Sequence, residues 1–299
     1  MLQAYNPKNK DILVYIDGTL MHRDEAKISV FDSAVQGGDA VWEGLRVYDG
    51  RILSLHAHLE RLQNSAHALA FVDIPDQSTI KAAIFQTLQA NGMRDGVHIR
   101  LTLTRGRKVT SGMDPRLNQY GPTLIVLAEW KPPVYPPSIS LITSSVRRNN
   151  PMFLDSKIHH NNLLNNILAK IEANHAGADA GLMLDKDGFV AEANGVNVFF
   201  ISKGVVHTPH AEACLPGITR QTVLDLCQKN QIPAQEGRYS LAEFYAAEEV
   251  FTTGTMGELT RVHAIDGRMI RGPQKTSLLD QIQAYFTEYT QETGEPLPF

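Results

Sequence analysis

Leu215-Pro216-Gly217-Ile218-Thr219-Arg220 runs straight into a stretch with helical spacing of apolar residues, and the rest of the chain is best read outward from it. Gly217 lets the backbone approach a ligand closely. Ile218 and Thr219 would then present unbonded N–H groups at a helix start, an anion site suited to phosphate. A helix start with a turn glycine reads the same without any ligand. Thr252-Thr253-Gly254-Thr255 is a second cluster of hydroxyls beside a glycine, just after the apolar Val250-Phe251.

Two charged residues lie upstream. Lys157 sits in Leu154-Asp155-Ser156-Lys157-Ile158-His159-His160, before a helical pattern. Such a lysine is solvated unless the fold buries it; burial would lower its pKa and arm it as a nucleophile. Glu192 lies in the apolar run Phe189-Val190-Ala191-Glu192-Ala193. It could face a buried ring nitrogen, or be a hairpin-edge charge.

The pattern around these residues is mixed. Asp17-Gly18, Asp49-Gly50, Asp187-Gly188 and Asp266-Gly267 punctuate the chain as hairpin turns do. Strands are expected at 12–16, 97–104, 122–129, 139–146, 182–184, 197–201 and 205–207. Helices are expected at 55–69, 78–88, 161–173 and 219–229, and from about Lys275 to Tyr289. Ser240 and Glu243 match a capping box. Lys131-Pro132-Pro133-Val134-Tyr135-Pro136-Pro137 holds four prolines in seven residues and forbids a helix. The expected division is a smaller domain at 1–131, a linker at 132–137 and a larger domain at 138–299. Both halves mix strands and helices, so the class is α+β with largely antiparallel sheets.

Composition narrows the function. At 299 residues with 43% hydrophobic content, the chain can bury cores without disulfides or structural metals. A net charge of −4 leaves no basic footprint for nucleic acid. Its only cysteines, Cys214 and Cys227, form no CxxC pair, so a cysteine zinc module is not expected and a reducing compartment is. The polar start is not expected to be a signal peptide, and no apolar run is long enough to span a membrane. GxGxxG, GxxxxGK[ST], GxSxG and HExxH are absent. His56 with His58, and His207 with His210, lack a third ligand, so packing or surface roles are expected and no metal.

In their joint order and spacing these residues resemble the fold-type IV pyridoxal-phosphate enzymes, the class IV aminotransferases, over nearly the whole chain. Tyr15-Ile16-Asp17-Gly18 and Ala40-Val41-Trp42-Glu43-Gly44-Leu45-Arg46 resemble the family's opening hairpin and FEG(I/L)R segment. His58-Leu59-Glu60-Arg61-Leu62 resembles its HLxRL helix, and 215–220 its LxGITR string. Thr255 lies in a stretch similar to (S/T)GTxxE(I/L)TPV. The nearest likeness is to branched-chain amino acid aminotransferases, through Trp42-Glu43-Gly44, Ile99-Arg100 and Trp130. Gly37 and Leu163 stand where those enzymes carry tyrosines, and Arg261 where they carry proline. Lys157 sits about one residue farther from the following helix, leaving His159, His160 or Asn161 in that space. The stretch 99–112 also resembles D-amino-acid and (R)-amine transaminases.

The resemblance implies pyridoxal 5′-phosphate as cofactor and a ping-pong transfer of an amino group between an apolar or branched-chain L-amino acid and a 2-oxo acid. Lys157 is then the catalytic Schiff-base lysine and Glu192 the partner of the ring nitrogen. Arg61, the Ile218 and Thr219 amides and Thr255 anchor the phosphate, with Leu215, Gly217 and Gly254 lining it. Trp42, Gly44, Arg100, Trp130 and Met256 are candidate substrate contacts. Arg100 could hold a carboxylate or form a structural ion pair; the two tryptophans could wall a pocket or sit in the core. Arg105 or Arg107 could bind a second carboxylate. Arg148 could lie near the cofactor, or at a surface or interface. A homodimer in the cytoplasm is implied, with no nucleic-acid or membrane partner. The alternatives are a D-amino acid or (R)-amine transaminase, an aminodeoxychorismate lyase, and a binding protein with a degenerate site.

Overall fold

Alternation builds the first sheet. In the strand Val97–Thr104 the side chains of Val97, Ile99, Leu101 and Leu103 are fully buried on one face, as a period of two dictates. The neighbouring strand Ala40–Tyr48 buries Val41, Leu45 and Val47 on that same face. The computed structural model describes residues 3–273 and 276–299. Among these, one sheet has seven strands, in the order Glu295–Pro296, Arg51–Ile52, Ala40–Tyr48, Val97–Thr104, Thr123–Trp130, Leu13–Ile16, Thr19–His22. Every pairing in it is antiparallel.

Helices Leu55–Ala68 and Gln77–Ala90 seal its apolar face with Leu55, Leu59, Leu62 and Ala66, and with Ile80, Ala83, Ile84 and Leu88. Three- and four-residue steps put each set on one stripe. Asp76 caps the second helix by accepting from the Thr79 N–H. Asp17 and Gly18 both take positive φ, at 44° and 86°, which a two-residue hairpin between Ile16 and Thr19 requires.

The second sheet has nine strands among the described residues. Its path is Ala234–Gly237, Val205–Pro209, Asn197–Ser202, Glu249–Gly254, Glu258–Ile265, Ser138–Thr143, Ala180–Leu184, Val190–Ala193, with Arg268–Met269 on Glu258–Ile265. Most pairs are antiparallel. Three are parallel: Val205–Pro209 with Ala234–Gly237, and Ser138–Thr143 with both Glu258–Ile265 and Ala180–Leu184. Parallel neighbours in sequence need a crossover, and helices Ile218–Lys229 and Leu164–His175 supply two. Leu241–Ala246 starts with the expected Ser240–Glu243 capping box. The last helix spans Leu278–Glu292; Lys275, its expected start, lies outside the described residues.

The chain divides into two units. The first holds the residues up to Pro132 with Ile158–Asn162 and Thr290–Phe299; the second holds Pro133–Lys157 and Leu163–Tyr289. The expected continuous range 138–299 therefore gives up two pieces, for local reasons. Ile158–Asn162 hydrogen-bonds along Ala40–Tyr48: Trp42 N donates to His159 O at 2.9 Å, and Asn161 N to Ala40 O at 2.8 Å. Glu295–Pro296 extends the seven-stranded sheet at Arg51–Ile52, and Leu297 enters its core.

Candidate active site

Asn197 joins three of the second unit's candidate residues, Glu192, Leu215 and Gly217. It opens a buried strand and pairs with Thr253 across the sheet. Its Nδ2 donates to Leu215 O at 2.9 Å and to Glu192 Oε2 at 3.2 Å. Its Oδ1 leaves no space at Gly217, where a Cβ would stand only 2.0 Å away. Gly217 is the N-cap of Ile218–Lys229 and brings no capping side chain. The positive end of that helix, with the N–H groups of Ile218 and Thr219, therefore has no side-chain acceptor from its cap. Arg220 is turned away from it, bonded to Pro209 O at 2.8 Å and paired with Glu236. Thr253 is buried, and its Oγ1 has no partner among the described residues. A Cβ at the next residue, Gly254, would press on Val196 at 2.9 Å. Thr255, the hydroxyl expected at the phosphate, is half-buried.

Glu192 lies in a strand whose four residues are all buried. Burial pushes its carboxyl up, and Arg148 pulls it back. Arg148 Nε donates to Glu192 Oε1 at 2.5 Å, and its Nη1 to Asn165 Oδ1 at 3.1 Å. Arg148 is only 7% exposed, so the surface or interface role is set aside in favour of this contact. Lys157 does not join these groups. It lies in a turn, its side chain is 44% exposed, and its ammonium pairs with Asp155 at 3.7 Å. The lysine is thus partly solvated, the first of the two states that its segment allows. Met256 is half-buried in a turn, where its carbonyl accepts from Val134 N.

In the first unit the centre is Glu43. It shares the apolar face of its strand with Val41, Leu45 and Val47, and its side chain is fully buried. Arg61 Nε donates to its Oε1 at 2.8 Å and Arg61 Nη2 to its Oε2 at 2.7 Å. His58 Nδ1 lies 2.6 Å from Oε2, and His159 Nδ1 3.1 Å from Oε1. Burial would raise the carboxyl, but His159, Arg61 and His58 outweigh it and hold it well below the usual range. Burial pushes His159 down to about 4 against the pull of Glu43.

Trp42 is fixed three ways. Its Nε1 donates to His160 O at 3.2 Å, its ring meets that of His159 at 4.1 Å, and the Arg100 guanidinium lies 3.5 Å from its centroid. Arg100 also donates to Asn161 Oδ1 at 2.8 Å, and burial pushes it down to about 10. It thus forms a cation–π contact, which neither sequence alternative anticipated. Gly44 faces Arg100 across the strands, and a Cβ there would sit 3.3 Å from His98 Nε2. Trp130 packs against the core of this unit, with Lys8 over its ring. Arg105 is held by Asp39 and by the carbonyls of Leu69 and Ala70, while Arg107 is exposed and lies over Tyr120. His56 bonds Gln77, so it parts from His58.

The site residues to which sequence reasoning gave no role are Glu43 and Asn197; Thr253 lies in the hydroxyl cluster it singled out, and His159 in the space it noted after Lys157. Glu43 had a local signal: it is a charge on the strand face otherwise given to Val41, Leu45 and Val47.

A family model described as amino-transferase class IV matches residues 40–265. Branched-chain-amino-acid aminotransferase-like protein 2 of Arabidopsis thaliana is 56% identical over 294 residues, covering 98% of this chain and 53% of that protein. The chain thus spans about half the length of that relative. A putative branched-chain-amino-acid aminotransferase of Methanocaldococcus jannaschii is 38% identical over 285 residues, covering 94% of this chain and 97% of that one. Among solved structures, the T.th. branched-chain amino acid aminotransferase with pyridoxamine 5′-phosphate is 32% identical, with a TM-score of 0.87 and 94% of each chain covered.

Proposed function

The chain belongs to the class IV aminotransferases, and from that membership we propose that it is a pyridoxal-phosphate-dependent transaminase acting on branched-chain or other apolar L-amino acids and a 2-oxo acid. The observation that carries this reading is the joint placement of a buried, doubly hydrogen-bonded Glu192 and an uncapped helix start at Gly217, both tied to Asn197.

The residues fit pyridoxal phosphate at two ends. The helix start at Gly217, the cramped backbone there and the unpartnered Thr253 hydroxyl suit a phosphate. The buried Glu192 carboxylate suits a protonated ring nitrogen. Bound pyridoxal phosphate supplies an electron sink for the bond broken at the substrate Cα.

The chain's own groups then divide the work. Glu192, aimed by Arg148 and Asn197, holds the ring proton. The Ile218 and Thr219 amides, with Thr253 and Thr255, hold the phosphate, and Leu215 and Gly254 line it. Arg61 is read as a phosphate ligand from its place in the 58–62 string alone. Lys157 Nζ would hold the cofactor and, once the substrate amine has displaced it, would take the Cα proton and return it, as base and acid in turn. For that its side chain must leave the Asp155 pairing. Trp42, with Gly44 beside it, walls an apolar side-chain pocket, and Arg100 offers a cation to a carboxylate. Trp130 and Met256 are the weaker substrate candidates, given where they lie.

A homodimer accompanies this reading. Leu164, Ile167, Leu168 and Ile171 lie on one face of Leu164–His175 and are 43–66% exposed. Such a patch is unusual for a monomer and fits a second copy of the chain. Cys214 and Cys227 are buried and unpaired, which fits the cytoplasm. No helix among the described residues is long and apolar enough to cross a membrane.

The test is an assay of the chain loaded with pyridoxal phosphate, using L- and D-amino acids with and without 2-oxoglutarate. Acceptor-dependent turnover of L-leucine, L-isoleucine or L-valine is expected. Turnover of D-amino acids alone would overturn the substrate, and pyruvate release without an acceptor the reaction type.

A further inference from the structure

We propose that Glu43 and His159 are positioning residues for Arg61, fixing the plane and direction of its guanidinium for an anionic ligand. The proposal rests on the reading of Arg61 as a phosphate ligand and deepens it.

Glu43 is saturated. Each carboxylate oxygen has two donors: Arg61 Nε and His159 Nδ1 at Oε1, Arg61 Nη2 and His58 Nδ1 at Oε2. An apolar side chain at this position would fill the same face without desolvating a charge, so packing alone does not call for the carboxylate. What a carboxylate adds is geometry: a two-point pairing with a guanidinium sets the plane of the fork. His58 and Arg61 are three residues apart on one helix and so meet Glu43 from one face.

His159 completes the arrangement from another segment. Its N–H donates to Ser65 Oγ at 3.1 Å, and its carbonyl accepts from Trp42 N at 2.9 Å. The ring is thereby held between Trp42 and Glu43, with Nδ1 3.5 Å from Arg61 Nη2. Nδ1–H donates to Glu43, so the ring is a neutral spacer and adds no second positive charge beside Arg61. The side chain that reaches Arg61 from the segment after Lys157 is therefore an imidazole.

The experiment is a double-mutant cycle on the affinity of the full chain for pyridoxal phosphate, followed by absorbance and repeated with inorganic phosphate as competitor. The nitrogen-15 signal of Arg61 Nε–H in the ligand-free chain is the second readout. Glu43→Gln is expected to weaken binding about ten- to a hundredfold, the scale of a charged hydrogen bond. Glu43→Gln/Arg61→Ala should then be no weaker than Arg61→Ala alone, because Glu43 acts through Arg61. His159→Asn, which can still donate, should cost less than His159→Phe. The Nε–H signal should be slow to exchange in the wild type and fast in Glu43→Gln. If Glu43→Gln does not fold, Glu43→Asp takes its place in the cycle. Additive losses, or an Nε–H signal unchanged by Glu43→Gln, overturn the proposal. A wild-type chain that binds no pyridoxal phosphate overturns the cofactor reading instead, and the Nε–H signal still decides whether Glu43 holds Arg61.

Discussion

Arg148 Nε donates to Glu192 Oε1 at 2.5 Å, and both side chains are all but closed to water. Breaking a buried pair leaves an uncompensated charge, which costs about 3–5 kcal/mol. Arg148→Ala should lower the urea midpoint accordingly, whereas Glu192→Gln with Arg148→Met together should lose less than the sum. An Arg148→Ala chain as stable as the wild type would mean that Glu192 is not held as an ion.

Gly217→Ala places a methyl where Asn197 Oδ1 stands. The backbone there has φ −66° and ψ 136°, which alanine adopts freely, so any effect comes from the side-chain clash. Asn197 must move, and its bonds to Leu215 and Glu192 go with it. Pyridoxal phosphate affinity should fall by about tenfold or more, the scale of one lost hydrogen bond to a charge. Gly195→Ala, which meets nothing within 4 Å, is the control and should bind as the wild type does.

How much of this is legible in the chain depends on whether a feature is local. Val97–Thr104 reads to the residue because its alternation is local, and Asp17-Gly18 marks its hairpin by turn chemistry alone. Ala40–Tyr48 does not read as a nine-residue strand, because Glu43 and Arg46 are buried charges and spoil its apolar pattern. Glu249–Gly254 escapes because a strand covered on both faces loses its period of two. In the site, Glu192 and Gly217 are legible from their strings. The Arg148–Glu192 bond joins residues 44 apart, and no spacing rule finds such a pair. The exposure of Lys157 and the inward turn of His159 also follow from tertiary contacts: Ile158–Asn162 pairs with Ala40–Tyr48, and Lys157 precedes that pairing.

Acid should destabilise the first unit through His159 and Glu43. His159 is pushed down to about 4 in the fold, against about 6.5 when unfolded. Between these values the unfolded chain binds a proton that the folded chain refuses, so stability falls as pH drops from 6.5 towards 4. Glu43, held well below its usual range, adds a loss that begins near pH 4.5 and grows as pH falls further. Urea midpoints from about pH 7 to 4.5 should show this slope, flattened in His159→Asn. An equal slope in both chains would contradict the burial of His159.

The exposed face of Leu164–His175 should carry the dimer contact. Ile167→Asp with Leu168→Asp is expected to shift the chain from dimer to monomer in sedimentation equilibrium. A wild-type chain that already sediments as a monomer would remove the proposed pairing.

The central claim is a covalent cofactor site at Lys157 serving amino transfer. Its most direct test is borohydride reduction of the pyridoxal-phosphate-loaded chain, followed by digestion and mass mapping. The account predicts one phosphopyridoxyl label, on the peptide carrying Lys157, prevented by prior addition of a branched-chain amino acid. Bound cofactor with no label at Lys157, or a label confined to another lysine, would contradict it.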